Sequence, residues 1–266
     1  MSEQTILTQI DDRGRAMLTL NRPELHNAFD DAVISDLTDA LRQLDDDPDV
    51  RVVLLAASGR SFSSGADLNW MRRMADYSYE QNLADAEGLA ELMRTLDTLS
   101  KPTIALVQGA AYGGGVGLVA CCDVAIAVGR ASFCLSEVKL GLIPAVISPY
   151  MVAAIGSRAA RRYFLSAETF DAAEAHRFGL VHQVVADEQE LAAAAELMVA
   201  RLLANGPLAM AAAKNLIAAV AGRHVDDGLI ADTAGRIADR RSSPEGREGL
   251  SAFLEKRRPA WVKEFE

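Results

Sequence analysis

Positive charge is in short supply in this chain. Its 27 Lys and Arg face 37 Asp and Glu, a net charge of -10 over 266 residues. A general nucleic-acid binder needs a basic surface to neutralise phosphates, so that class is excluded, although local Arg and Lys can still hold an anionic ligand. Cysteine is scarce too. Three residues, with Cys121 and Cys122 adjacent, make neither a disulfide framework nor a zinc set, and read as small buried hydrophobes. His26, His176, His182 and His224 are scattered without a metal-ligand pair, so no metal is expected. No uncharged apolar run reaches membrane-spanning length, and the first twenty residues lack the layout of a secretory leader. The expected compartment is a reducing cytoplasm. The glycine-rich stretches lack the Lys-Ser/Thr of a P-loop and the spacing of a dinucleotide fingerprint. Ser63, Ser64 and Ser136 sit in no GxSxG elbow, which disfavours a serine hydrolase.

What is present is an alternation of strands, loops and helices. "TILTQIDD" and "RAMLTLNR" are β-prone runs joined by a hairpin signal. Phe29, Val33, Leu37, Leu41 and Leu44 then recur at helical spacing until the Asp cluster before Pro48. "RVVLLAAS", "PTIALVQGAAY" and "CDVAIAVG" read as strands buried on both faces, the first two leading through loops into helices. This recurrence predicts stacked or parallel α/β units. From about Leu191 the pattern is helical only, so residues 1–190 are read as a core and 191–266 as a helical oligomerisation region.

Two loops stand out. "SSGADL", Ser63 to Leu68, and Gly113-Gly114-Gly115 each carry small residues into the start of a helix. Unpaired first-turn amides there bear partial positive charge, and two such loops can aim two N–H groups at one developing oxyanion. On sequence alone, the glycines are equally read as tight turns and close packing. Glu137, among Phe133, Leu135, Val138 and Leu140, is the candidate proton carrier, because apolar surroundings raise a carboxyl pKa. The plainer reading is an exposed acid at a strand end.

Taken together, "NRPELHNAF", "FSSGADL", "KPTIALVQGAAYGGGVGL", "CDVAIA", "FCLSEVKLGLIP" and "SAFLEKRRP" resemble the crotonase (enoyl-CoA hydratase/isomerase) superfamily over nearly the whole chain. The resemblance implies an α/β crotonase fold, a spiral core of stacked ββα units with a C-terminal helical trimerisation region. It implies an acyl-CoA thioester substrate, a homotrimer or dimer of trimers, and no cofactor beyond the CoA that the substrate carries. By motif position the thioester oxygen meets the backbone amides of Ala66 and Gly114. CoA contacts are implied at His26, Ala28, Ser64, Asp67 and Leu68, and at Phe253 and Lys256 from a neighbouring subunit.

The departure is at the acids. Typical enoyl-CoA hydratases carry two glutamates; here the first position is Gly117 and the second is Glu137. The Gly-Gly-hydrophobic-Gln-Arg segment that usually follows is replaced by "PAVISPYM". Gly117 is expected to leave room for a branched or carboxylated acyl chain. "SEVKLGLIPAVISPY" looks like the bacterial branch associated with 3-methylglutaconyl-CoA hydration in leucine breakdown and with related carboxylated terpenoid acyl-CoAs. Three readings follow: a single-acid hydratase, a Δ3,Δ2-enoyl-CoA isomerase in which Glu137 shuttles one proton, and a catalytically silent acyl-CoA-binding trimer.

Overall fold

Strand β2 (Arg15–Leu20) buries Ala16, Leu18 and Leu20 from one face, as its alternating pattern dictates. The turn at residues 11–14 folds it antiparallel onto β1 (Ile6–Ile10), with Ile6 opposite Leu20. The computed structural model describes residues 4–262; the outer ends of the two segments read from composition, residues 1–3 and 263–266, lie outside them. The remaining strands are β3 (Val52–Ala57), β4 (Thr103–Val107), β5 (Ala111–Tyr112), β6 (Val124–Val128), β7 (Ser132–Cys134), β8 (Phe170–Asp171) and β9 (Gln183–Val185). One sheet runs in the order β1-β2-β3-β4-β6-β9, parallel from β2 onward; a smaller one runs β5-β7-β8. The strands read as buried on both faces are so: β4 is buried at every residue, and Val52 to Leu55 of β3 likewise.

The helices are α1 (Asp31–Asp46), α2 (Leu68–Met74), α3 (Tyr79–Asp97), α4 (Gly114–Cys121), α5 (Ser148–Ser166), α6 (Ala172–Arg177), α7 (Glu188–Leu203), α8 (Pro207–Val220), α9 (Asp227–Ser242) and α10 (Pro244–Leu254). Helix α1 begins where Asp30 accepts a hydrogen bond from Val33 N, so the side chain caps the first turn. That cap corrects one expectation. Phe29 lies outside the helix and pairs instead with Ala66 in an isolated parallel bridge. Val33, Leu37, Leu41 and Leu44 face the core as expected.

The composition change at Leu191 falls inside α7. Leu191, Ala195 and Val199 bury that helix against the main core, whose hydrophobic cluster extends along the chain as far as Leu203. Helix α8 contains no fully buried residue, and Leu208, Ile217, Ile230, Ile237, Leu250 and Phe253 are exposed along α8 to α10. Among the described residues no single helix is long and apolar enough to cross a membrane.

Candidate active site

The loop Ser63–Ala66 runs between the segment ahead of α1 and strand β5, pairing with each through one parallel bridge: Phe29 with Ala66, and Ser63 with Ala111. Gly65 is required there. Its φ is +86°, and a side chain on it would come within 2.9 Å of Tyr112 O. Ser63, fully buried, donates from Oγ to Asn27 O (2.8 Å) and accepts from Gly65 N (3.1 Å). Asp67 N donates to Phe29 O, Tyr112 N to Ser63 O, and Gly113 N to Cys134 O, each at 2.9 Å. These bonds consume the amides of Gly65, Asp67, Tyr112 and Gly113. Those of Ala66 and Gly114 have no acceptor among the described residues. Gly114 is the first residue of α4, and Gly113 before it supplies no side-chain cap, so the positive end of the helix stands open.

The carboxyl group of Glu137 lies beside this pair. Glu137 opens a short 3-10 turn, Glu137–Leu140, directly after β7, and is half-buried. Its Oε1 would stand 3.3 Å from a methyl group on Gly113, the residue next to the open amide. Its Oε2 is buried with no hydrogen-bond partner among the described residues. Burial pushes the Glu137 carboxyl above its usual range, because the charged form loses hydration without gaining a counter-charge. The plainer reading of Glu137 as an exposed acid is therefore corrected. Its neighbours in sequence only half explain this. Phe133 and Leu135 are buried, whereas Leu140 is exposed; the carboxyl also lies against Gly113, at the start of α4.

The expected room at Gly117 is absent. A methyl group added there would press into Ile147 Cγ2 and lie 3.0 Å from Ile147 Cβ and 3.2 Å from Met93 Cε. Ile147 sits just before α5 and is buried. The two departures noted in the sequence thus meet in space. The glycine where an acid was expected and the isoleucine in "PAVISPYM" are one volume-matched pair, leaving no pocket for an acyl branch at that point.

A sequence family described as enoyl-CoA hydratase/isomerase matches residues 12–264. The chain belongs to the enoyl-CoA hydratase/isomerase family. It is 32% identical over 265 residues to a crotonyl-CoA hydratase of Syntrophomonas wolfei, covering 98% of this chain and 99% of that one. Its fold superposes on an enoyl-CoA hydratase of Shewanella pealeana with a TM-score of 0.94 at 49% identity, covering 97% and 96% of the two chains. It also superposes on Pseudomonas aeruginosa AtuE with a TM-score of 0.93 at 35% identity, covering 98% and 100%. The α/β crotonase fold and membership of this enzyme family follow.

Within that family's fold, the residues expected to meet CoA divide into groups. His26 closes the 3-10 turn Pro23–Leu25 in a left-handed conformation, its O accepting from Ser64 N (2.9 Å) and its ring meeting Ser61 Oγ (3.1 Å). Ala28 is buried, its N donating to Leu25 O and its O accepting from Arg22 Nη1. Ser64 is exposed beside it, and Leu68 is 70% exposed at the start of α2. The first three form one neighbourhood around the Pro23–Leu25 turn. Asp67 differs, because its carboxylate is buried and already engaged. It caps α2 through Asn69 N (2.7 Å) and Trp70 N (3.3 Å) and meets Arg22 Nη2 at 3.3 Å. That carboxylate holds the loop that carries Ala66. Phe253 and Lys256 lie exposed at the end of α10, which packs on α8 and α9. Among the described residues no hydrogen bond ties either to His26, Ala28 or Ser64.

Sequence reasoning missed Asn27. Its Nδ2 donates to Ser58 O and Ser61 O (2.8 Å each), and its Oδ1 accepts from Arg22 N (2.9 Å), all in the interior. The only local signal was an Asn amid apolar residues before a helix. Asn27→Ala leaves these groups unsatisfied and is expected to cost about 3 kcal/mol, read as a lowered urea midpoint with unchanged slope.

Proposed function

We propose that this protein is a hydratase that adds water across the double bond of a 2-enoyl-CoA thioester, using Glu137 as its single proton-transfer group. One observation carries the reading: two unpaired amides, Ala66 N and Gly114 N, stand beside a half-buried carboxyl whose Oε2 has no partner. Amides so placed donate more strongly to a forming enolate oxygen than to the ground-state carbonyl, and each such donor contributes about 3 kcal/mol. The Glu137 carboxylate takes a proton from water as the oxygen adds at Cβ, and returns a proton to Cα as the enolate collapses. Water is consumed and Glu137 ends as it began.

The acyl group is taken to be branched and carboxylated, as in 3-methylglutaconyl-CoA. That preference rests on the likeness of Ser136 to Tyr150 to the leucine-breakdown branch and not on space at Gly117. The exposed apolar side chains on α8 to α10 support assembly into a homotrimer or a pair of trimers, with Phe253 and Lys256 reaching a neighbour's CoA. A cytoplasmic location, no added cofactor, and neither nucleic-acid nor membrane partners complete the reading.

A second reading, the Δ3,Δ2-enoyl-CoA isomerase, is favoured by Ile147 closing the space beside Gly117, since isomerisation needs only one acid. Loss of the conjugated-thioester absorbance separates the two. The expected result is a loss on mixing with 2-enoyl-CoA, faster with 3-methylglutaconyl-CoA than with crotonyl-CoA. A gain of that absorbance from a 3-enoyl-CoA, with no hydration of any 2-enoyl-CoA, would establish the isomerase instead. Inertness toward every enoyl-CoA would leave the acyl-CoA-binding trimer.

A further inference from the structure

The pairing of Ser63 with Ala111 aligns the two amide-bearing segments, but it stops short of the open amides themselves, which are almost fifty residues apart in sequence. One side chain and its own backbone touch both. Phe29 N donates to Gly65 O and Phe29 O accepts from Asp67 N, both at 2.9 Å, so its peptide groups clasp the chain on either side of Ala66. Its ring lies against the other donor residue: a methyl group on Gly114 would come within 2.8 Å of Phe29 Cε2 and 3.4 Å of Cζ. Phe29 is fully buried, so the ring has no alternative position in solvent.

Its own position is over-determined. Asn27 beside it holds Ser58 O and Ser61 O, and Arg22 reaches Ala28 O as well as the carboxylates of Asp30 and Asp67. On the other side, the capped start of α1 fixes the chain immediately after it. A rigid aromatic ring, with two χ angles and flat faces, is a suitable spacer between two backbones.

We propose that Phe29 is a positioning residue that sets the gap between the Ala66 and Gly114 amides, acting through both and touching no substrate. This rests on the reading of those amides as holders of the thioester oxygen. The consequence follows from geometry: hydrogen bonds to a small oxyanion weaken steeply as one donor drifts, and a shift near 1 Å can cost about 100-fold in rate.

The test uses the intact protein and a push–pull chromophoric thioester, 4-dimethylaminocinnamoyl-CoA, whose absorbance moves to the red when its carbonyl oxygen is polarised. The wild-type protein is expected to red-shift the bound probe. No red shift in the wild type would sink the thioester-oxygen reading itself. Given that shift, Phe29→Leu is expected to lose most of it and to lower kcat roughly 10- to 100-fold. KM and the affinity for free CoA should stay within a few-fold, a split that loss of folding does not produce. A full red shift and unchanged kcat in Phe29→Leu would overturn the positioning role.

Should Phe29→Leu fail to fold, the pair can be probed from the other side. Gly114→Ala drives a methyl group into the ring and is expected to lose the red shift. Gly114→Ala with Phe29→Leu makes room for that methyl and should regain part of it. A double variant no better than Gly114→Ala would also overturn the proposal.

Discussion

Glu137→Gln is expected to lower turnover at least 100-fold while leaving the affinity for CoA nearly intact. The amide keeps the size of the carboxyl but neither accepts the proton of water nor returns one to Cα. The pH profile of the unmodified protein should carry the same signature. In the proposed reaction the carboxylate form is the base, so kcat/KM is expected to fall as the pH drops through the Glu137 pKa. Because burial raises that pKa, the acid limb should lie above the ordinary range of a glutamate. Stability moves the other way. A carboxyl whose folded pKa is raised binds its proton more readily in the folded state, so its contribution is best at low pH and is lost as pH rises through the window between the unfolded and folded values. At neutral pH, Glu137→Gln removes a half-buried, unpaired charge and should raise the melting temperature. The gain should vanish in acid. Full activity in this variant would place the proton carrier elsewhere, and an unchanged or lowered melting temperature at neutral pH would mean that the carboxylate is better solvated than its surroundings indicate.

Restoring an acid at position 117 is expected to fail. The position offers no space: Ile147 and Met93 already occupy it, and the helix backbone of α4 cannot retreat without moving Gly114. Gly117→Glu therefore overpacks the interior and buries an unpaired carboxylate, with no gain in hydration. Gly117→Ala isolates the steric part. An alanine normally stabilises a helix interior relative to glycine, yet here it should destabilise by about 1–3 kcal/mol because the added methyl meets Ile147. Ile147→Ala alone should cost about 2–5 kcal/mol through the cavity it leaves. The double variant Gly117→Ala/Ile147→Ala should cost less than the sum by about 1–3 kcal/mol, as expected of residues that share one volume. Thermal unfolding of the four proteins closes the cycle. Additive effects would show that the two side chains do not compete for that space.

Much of this protein was legible before its structure. The hairpin, most of helix α1, the buried strands and the glycine loops followed from local rules, because alternation, helical spacing and backbone freedom act over a few residues. Glu137 as candidate acid, and Ala66 and Gly114 as candidate donors, came from the resemblance of motifs in order. Phe29 was misplaced for a physical reason. Its four-residue spacing from Val33 mimics a helix face, whereas the Asp30 cap two residues before Ala32 starts the helix after it. Gly117 was misjudged because a glycine in sequence shows only a missing side chain, not what fills the gap. The filler, Ile147, is thirty residues away on another element.

By itself, then, the sequence determined the family, the order of strands and helices, and the position of the one candidate acid. Tertiary structure alone decided that the amides of Ala66 and Gly114 are left open together, that Asp67 is spent on a helix cap, and that Ile147 closes the space at Gly117. The division has one cause. Backbone preference and hydrophobic period are properties of neighbouring residues, whereas an unpaired amide, a raised carboxyl pKa and a filled cavity are properties of what the fold brings alongside them.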